Sequence, residues 1–125
     1  MSNLINGNET NMLIHMSDEE FKWYALGWSN QFIRYLVGSW SKLKINDIIM
    51  LTSDKSQSIK CKIIDKIVSI NLNSLLNESN YISLYPMSQN YRTTLQYVTQ
   101  KLKNQSIPKD INIDIKLALF TIKII

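Results

Sequence analysis

Cationic and aromatic side chains lie close together in one stretch of the sequence. Arg34 stands in the middle of an apolar and aromatic run that Trp28 and Trp40 flank, and Lys42 and Lys44 follow it. Because an unpaired guanidinium is costly to bury, Arg34 is predicted to have either a buried partner or an anionic ligand. Aromatic rings beside cations provide stacking surfaces for bases and charge for phosphates. The stretch therefore predicts a cleft that binds RNA or single-stranded nucleic acid.

Alternatively, the two tryptophans are core residues that close the ends of the barrel, and Lys42 and Lys44 are simply exposed to solvent. Trp28 follows Phe21 and Tyr24 at helical spacing, a stripe typical of a core, and leaves Trp23 as the aromatic expected at the surface. The neighbours of Trp40 are small and polar, which favours a loop at the mouth of the cleft. Both interpretations of Trp28 and Trp40 stay open at the level of sequence.

Patterns of hydrophobicity and capping predict the elements that position this stretch. Ser17 to Glu20 forms a capping box that should begin a first helix. Strands are predicted at Met12 to Met16, Gln31 to Val37, Ile48 to Thr52, Ser58 to Val68 and in Ile111 to Ile125, with a bulge at Ile63-Ile64 and further helices at Leu72 to Glu78, capped by Asn71, and from Ser88 to Asn104. Ser2 to Asn11 lacks apolar periodicity, so residues 1–11 should form a flexible tail and residues 12–125 one domain.

The order of these features resembles the ASCH domain, a branch of the PUA-like β-barrel superfamily. The chain has the strand Leu13-Ile14-His15-Met16, a helix from Ser17, then Gly27, Arg34 and the turn Lys44-Ile45-Asn46-Asp47 before Ile48-Ile49, in the order that the family shows. The resemblance implies an α+β fold, a small and mostly antiparallel PUA-like β-barrel with about three flanking helices. Gly27 and Asp47 are then structural positions of the motif.

The departures from the family pattern bear on catalysis. Some ASCH-like proteins resemble amidohydrolases or ribonucleases in which a lysine, a hydroxyl residue and an acid converge in the cleft. Ser29 stands where the family has this lysine, Phe32 where it has a glutamate, and Asn46 where it has a glycine. These departures disfavour a hydrolase, so non-catalytic nucleic-acid binding remains the predicted function, with Ser29 beside Arg34 in the cleft. A hydrolase with an altered site and a protein-interaction module are the alternatives.

Composition limits the remaining classes. The net charge of +4 and the pI of about 9.2 favour anionic partners. The single cysteine, Cys61, excludes an internal disulfide framework. The first eleven residues are polar, and no long apolar run is present. Together these features predict a cytoplasmic or nuclear protein that is neither secreted nor membrane-bound. The single histidine, His15, is expected to be packed and hydrogen-bonded in its strand. One histidine and one cysteine cannot form a usual zinc site, and no glycine-rich phosphate loop is present, so no metal or cofactor is expected.

Overall fold

A computed structural model describes residues 11–105, 107 and 115–125 of the chain. The strands of the described part are β1 (Met12–Met16), β2 (Gln31–Tyr35), β3 (Ile48–Ser53), β4 (Ser58–Ser69) and β5 (Leu117–Ile124). Its helices are α1 (Asp18–Ala25), α2 (Ser39–Lys42), α3 (Leu72–Glu78), α4 (Tyr81–Leu84) and α5 (Tyr91–Lys103). The short helices α2 and α4 raise the number above the three that the sequence predicts.

The five strands form one mixed sheet that curls into a half-barrel. Their order is β1-β3-β4-β5-β2, with β1 parallel to β3 and every other pair antiparallel. The predicted α+β class with a mostly antiparallel, barrel-like sheet is therefore confirmed. Since β1 and β2 are the two edge strands, the open side of the half-barrel lies between them.

Strand β5 occupies the centre of the protein, as its nearly continuous apolar run predicts. It lies between β4 and β2, and its two faces belong to two different hydrophobic clusters. Ala118 and Phe120 face the first cluster, inside the half-barrel, whereas Leu117 and Leu119 face the second cluster, under α3, α4 and α5. Residues 111–114 of the predicted strand lie outside the described residues.

The bulge predicted at Ile63-Ile64 is present, because the pairing of β4 with β5 shifts between Ile63 and Asp65. Ile63 is fully buried in the first cluster, and Ile67, beyond the bulge, packs against the second. One extra residue thus lets a single long strand supply both clusters.

Side-chain caps fix the helix ends near those predicted. The Ser17 hydroxyl accepts from the Glu20 amide at 3.2 Å, and Asn71 caps α3 as expected. Helix α5 begins later than predicted, because Asn90 and not Ser88 is its cap. Asn11 hydrogen-bonds to Ile48 at the start of β3, and the rest of the predicted tail, residues 1–10, lies outside the described residues.

Candidate nucleic-acid interface

Gly27 lies in the connection from α1 to β2, in a conformation that favours glycine. Its φ is +77°, and its amide donates to the Tyr24 carbonyl at 3.0 Å. A Cβ at this position would meet no atom within 4 Å, so the positive φ and not a close approach accounts for the glycine. The Trp28 and Ser29 amides then both donate to the Trp23 carbonyl, at 2.8 and 3.1 Å, which fixes the backbone leading into β2.

Arg34 is half-buried on β2, with its guanidinium beside two aromatic rings. The guanidinium carbon lies 5.4 Å from the centre of the Phe32 ring and 5.5 Å from that of Trp40, distances typical of cation–π contacts. Nη1 donates to the Ile33 carbonyl at 2.8 Å. Within the described part of the chain, Arg34 has no ion pair within 4.0 Å. Aromatic faces, and not a described carboxylate, therefore support this cation.

Trp40 differs from the prediction of a loop tryptophan. It lies in helix α2 and is half-buried, with its ring centre 5.8 Å from that of Phe32 and 6.2 Å from that of Phe120. The sequence-based loop assignment was wrong because four residues after Gly38 close one helical turn, which brings the indole back over the sheet. Trp40 is thus part of the core and also forms one wall beside Arg34.

The turn before β3 holds Asp47 as a structural residue. Asn46 has a φ of +80° and donates its amide to the Ile63 carbonyl at 2.8 Å. Asparagine tolerates this left-handed conformation better than most residues, so it suits this turn. The buried Asp47 accepts from the Lys44 amide at 3.0 Å, and Lys44 Nζ lies 3.4 Å from its other oxygen.

A cleft of about 460 Å³ opens between the edge strands β1 and β2. Arg34 and Trp40 line one side and residues 12–15 of β1 line the other. Lys101 of α5 and Asn104, the residue that caps the end of α5, line the end of the cleft. The curvature of the sheet brings these elements together, although they are distant in sequence.

His15 faces this cleft and is not packed as predicted. Its side chain is 61% exposed, because the alternation of β1 places Ile14 and Met16 in the core. The prediction of hydrogen bonds holds: Nε2 lies 2.6 Å from Asp54 Oδ1 and Nδ1 lies 3.3 Å from Thr52 Oγ1.

Three residues form a network that the sequence did not reveal, and one of them, Lys101, lines the cleft. The Glu20 carboxylate accepts hydrogen bonds from the Tyr97 hydroxyl and from Lys101 Nζ, the latter at 2.9 Å. Glu20 therefore does not complete the predicted capping box but joins α1 to α5. The i, i+4 spacing of Tyr97 and Lys101 on α5 was the available signal, because such residues share one face of a helix.

The positive charges around Glu20 keep it ionised. Burial by itself raises the pKa of Glu20, but the hydrogen bonds from Tyr97 and Lys101 and the charges of Lys101 and Arg34 outweigh burial, so the pKa lies below its usual value. Burial raises the pKa of Tyr97, with the Glu20 carboxylate adding to this effect. Burial also raises the pKa of Tyr24 to about 12, against the opposing charge of Arg34. Both phenols are therefore neutral hydrogen-bond donors near pH 7.

Trp23 and Trp28 exchange the environments predicted for them. Trp23 is buried, with its ring centre 5.8 Å from Tyr85 and 6.2 Å from Tyr97. Trp28 is 51% exposed, because α1 ends at Ala25 and the helical stripe does not reach it. The aromatic residues of the segment before α5 and of α5 itself cover Trp23.

The other predicted binding residues do not line the cleft. Lys42 and Lys44 are exposed on α2 and on the turn after it, and Trp28 is exposed after α1. Ser29 is buried and lines a second pocket of about 280 Å³. Of the six residues predicted to bind nucleic acid, the structure brings Arg34 and Trp40 together in the cleft.

The described residues contain no group of three His, Cys, Asp or Glu side chains that could hold a metal ion. No helix in the same ranges has the length and apolar character needed to cross a membrane.

Comparisons with known proteins give a likeness in fold. No family model and no curated protein matches this chain. The crystal structure of the hypothetical protein PH0355 is similar, with a TM-score of 0.69 and 13% sequence identity over 91% of this chain and 98% of that one. At this identity the likeness shows that the architecture occurs in a solved structure.

Proposed function

We propose that this protein binds RNA or single-stranded nucleic acid in the cleft between β1 and β2, and that it does so without catalysis. The observation that carries the proposal is the Arg34 guanidinium, which lies over Phe32 and Trp40 and lines the cleft. When aromatic rings cover the face of a guanidinium, several of its N–H groups remain free to donate to phosphate oxygens. The resemblance to the ASCH family and a cytoplasmic or nuclear location belong to the same proposal.

The charges at the cleft support an anionic ligand. Lys101 is paired with Glu20, so these two charges offset each other, while Arg34 adds a positive charge that no described carboxylate offsets within 4.0 Å. Lys42 and Lys44 follow Trp40 in the chain and are exposed. Asp47, 3.4 Å from Lys44 Nζ, offsets part of the charge of Lys44, whereas Lys42 adds its positive charge in full. Nucleic acid carries a regular series of phosphates. Such a ligand suits Arg34, a half-buried cation on an edge strand, followed by exposed lysines.

Salt-dependent RNA binding tests the proposal. The logarithm of the affinity for a single-stranded oligonucleotide should fall linearly with the logarithm of salt concentration, by about 0.7 per phosphate contact. Contacts from Arg34, Lys42 and Lys44 together give a slope of about 2. Affinity should be measured by fluorescence anisotropy at several salt concentrations.

Arginine variants provide a matched pair for this experiment. Arg34→Gln should lower the affinity and reduce the slope by about 0.7. Arg92→Gln removes the same charge from an exposed position on α5 that does not line the cleft, and should leave both quantities nearly unchanged. Equal effects of the two variants, or no binding at low salt, would contradict the proposal.

A hydrolase is the second candidate, and the network of Glu20, Tyr97 and Lys101 is the observation that favours it. A lysine, a hydroxyl and an acid meet there as Lys101, Tyr97 and Glu20, although none occupies the position that the ASCH resemblance assigns. The raised pKa of Tyr97 keeps its hydroxyl protonated and makes it a poor nucleophile. We therefore expect no deacylation of acylated cytidine and no RNA cleavage above background. Turnover that disappears in Lys101→Ala or Ser29→Ala would establish the hydrolase instead.

A further inference from the structure

A second pocket, which Tyr24 helps to line, lies between the loop after α1 and the end of β5. Its volume is about 280 Å³. Ser29 and Asn30 line it from the loop, and Ile122, Lys123 and Ile124 line it from β5. It has therefore a polar wall, an apolar wall and a cation, and it is separate from the Arg34 cleft.

Two polar atoms of this pocket lack partners. Ser29 is only 2% exposed, and neither its Oγ nor Asn30 Oδ1 has a hydrogen-bond partner among the described residues. The Asn30 amide donates to the Ser83 carbonyl at 3.1 Å and its carbonyl accepts from the Ile122 amide at 2.9 Å, so the backbone of this loop is fixed against β5. Buried polar atoms are nearly always paired, so this pair is suited to a ligand that supplies an acceptor and a donor.

The charge at the pocket points to an anion. Lys62 and Lys123 are directly opposite each other on β4 and β5, an arrangement in which like charges repel. Neither takes part in an ion pair within 4.0 Å in the described ranges. None of the residues that line the pocket is acidic, so a cationic ligand would be repelled.

We propose that this pocket binds an N-acylated amino carboxylate, the group –CO–NH–CHR–COO⁻. The Ser29 hydroxyl donates to the acyl carbonyl, and Asn30 Oδ1 accepts from the N–H group. Lys123, with Lys62 beside it, pairs with the carboxylate, and an apolar R group packs on Ile122 and Ile124. The group occurs in small N-acyl amino acids and at the carboxyl terminus of a peptide. This site does not depend on nucleic-acid binding in the cleft.

Titration with N-acetyl-L-leucine, followed by ligand-observed NMR, tests the assignment. N-acetyl-L-leucine should bind, whereas its methyl ester, which lacks the carboxylate, and free leucine, which lacks the acyl group and carries an ammonium, should bind about tenfold or more weakly. A short peptide ending in leucine, compared with the same peptide ending in a carboxamide, distinguishes the two sources. Tighter binding of the peptide acid than of N-acetyl-L-leucine would identify a peptide terminus.

Serine variants distinguish a binding role from a structural one. Ser29→Ala should weaken binding about tenfold while its melting temperature stays the same or rises, because it removes an unpaired buried hydroxyl. Ser53→Ala is the matched control: Ser53 is also buried, but its Oγ accepts from the Gln57 amide at 3.2 Å, so this variant should lose stability and keep binding. No binding by the wild-type protein, or equal binding by Ser29→Ala, would overturn the inference. Binding lost in Arg34→Gln and retained in Ser29→Ala would place the ligand in the cleft and overturn it as well.

Discussion

Arg34 and Lys101 line the same cleft, but their surroundings differ. Lys101 Nζ lies 2.9 Å from both oxygens of Glu20, and its side chain is 27% exposed. Arg34 contacts the faces of Phe32 and Trp40, with no ion pair in the described part of the chain. The comparison separates two uses of positive charge. Lys101 holds α5 against α1, whereas Arg34 is available to a ligand.

This difference implies that stability and binding depend on different residues. The region of Glu20, Tyr97 and Lys101 should affect folding when changed and should affect RNA affinity little. The Arg34 guanidinium should affect RNA affinity, and its loss should cost no more than about 1 kcal/mol of stability, the usual size of a partly exposed cation–π contact. Trp40 lies between these regions, since it supports Arg34 and also belongs to the core.

Trp40→Ala should have the largest effect on stability. The indole packs against Phe32 and Phe120, and truncation of tryptophan in a core costs about 3–5 kcal/mol. Because Trp40 is half-buried, we expect about 3 kcal/mol, the lower end of that range. Urea denaturation at pH 7 measures the change.

RNA titration of Trp40→Ala well below its melting temperature completes this experiment. Removal of the indole also removes one of the two rings under Arg34, so affinity should fall even in the folded protein. A variant of unchanged stability that lost about 1–3 kcal/mol of binding energy would show that the indole serves as a stacking surface for a base and not as a core residue.

Glu20→Gln should cause the next largest loss of stability. It removes the charge that accepts from Tyr97 and Lys101, and hydrogen bonds to charged groups contribute about 1.5–3 kcal/mol. RNA affinity should not fall, because the variant removes the negative charge that pairs with Lys101, a residue that lines the cleft. Stability and affinity can be measured on the same preparation by denaturation and by anisotropy.

Glu19→Gln is the control for that variant. Glu19 is exposed in the same helical turn, so its loss should change stability by at most about 0.5 kcal/mol. If Glu20→Gln were as stable as Glu19→Gln, the ion pair of Glu20 with Lys101 would not hold α1 to α5.

Periodicity and capping predicted the elements of the fold because they depend on neighbouring residues. The alternation of Ile59, Cys61 and Ile63 gave the position of β4, and the change of phase after Ile63 gave its bulge. The apolar run within Ile111 to Ile125 indicated one or two buried closing strands, and the structure has β5 at Leu117–Ile124 with both faces covered. Each of these patterns is local, and the structure confirms each.

The candidate site was less predictable because it is formed by elements far apart in sequence. Glu20 and Lys101 are 81 residues apart, and their pairing depends on how α5 crosses the open side of the half-barrel. Glu20 looked like a capping residue and Lys101 like an exposed lysine, which are the ordinary interpretations of an acid in a first turn and a base in a last turn. Trp23 and Trp28 were misplaced for a related reason, since the end of α1 at Ala25 decides which of them faces α5.

The pH dependence of stability offers the finest test of the difference between Arg34 and Lys101. The pKa of Glu20 is lowered in the folded protein from a usual value of 4.5. A carboxylate with a lowered folded pKa contributes stability that is fully present above the unfolded pKa and is lost as pH falls through the folded pKa. The difference in unfolding free energy between the wild-type protein and Glu20→Gln should therefore be constant from pH 7 to about pH 5.5 and should narrow below pH 4.5.

The corresponding difference for Arg34→Gln should change less, because the charge of Arg34 is the smallest of the contributions that lower this pKa. Urea denaturation of the three proteins at a series of pH values measures both differences. A gap for Glu20→Gln that stayed the same or widened in acid would mean that Lys101 and Tyr97 do not stabilise the ionised Glu20, and the distinction between the two cations of the cleft would be wrong.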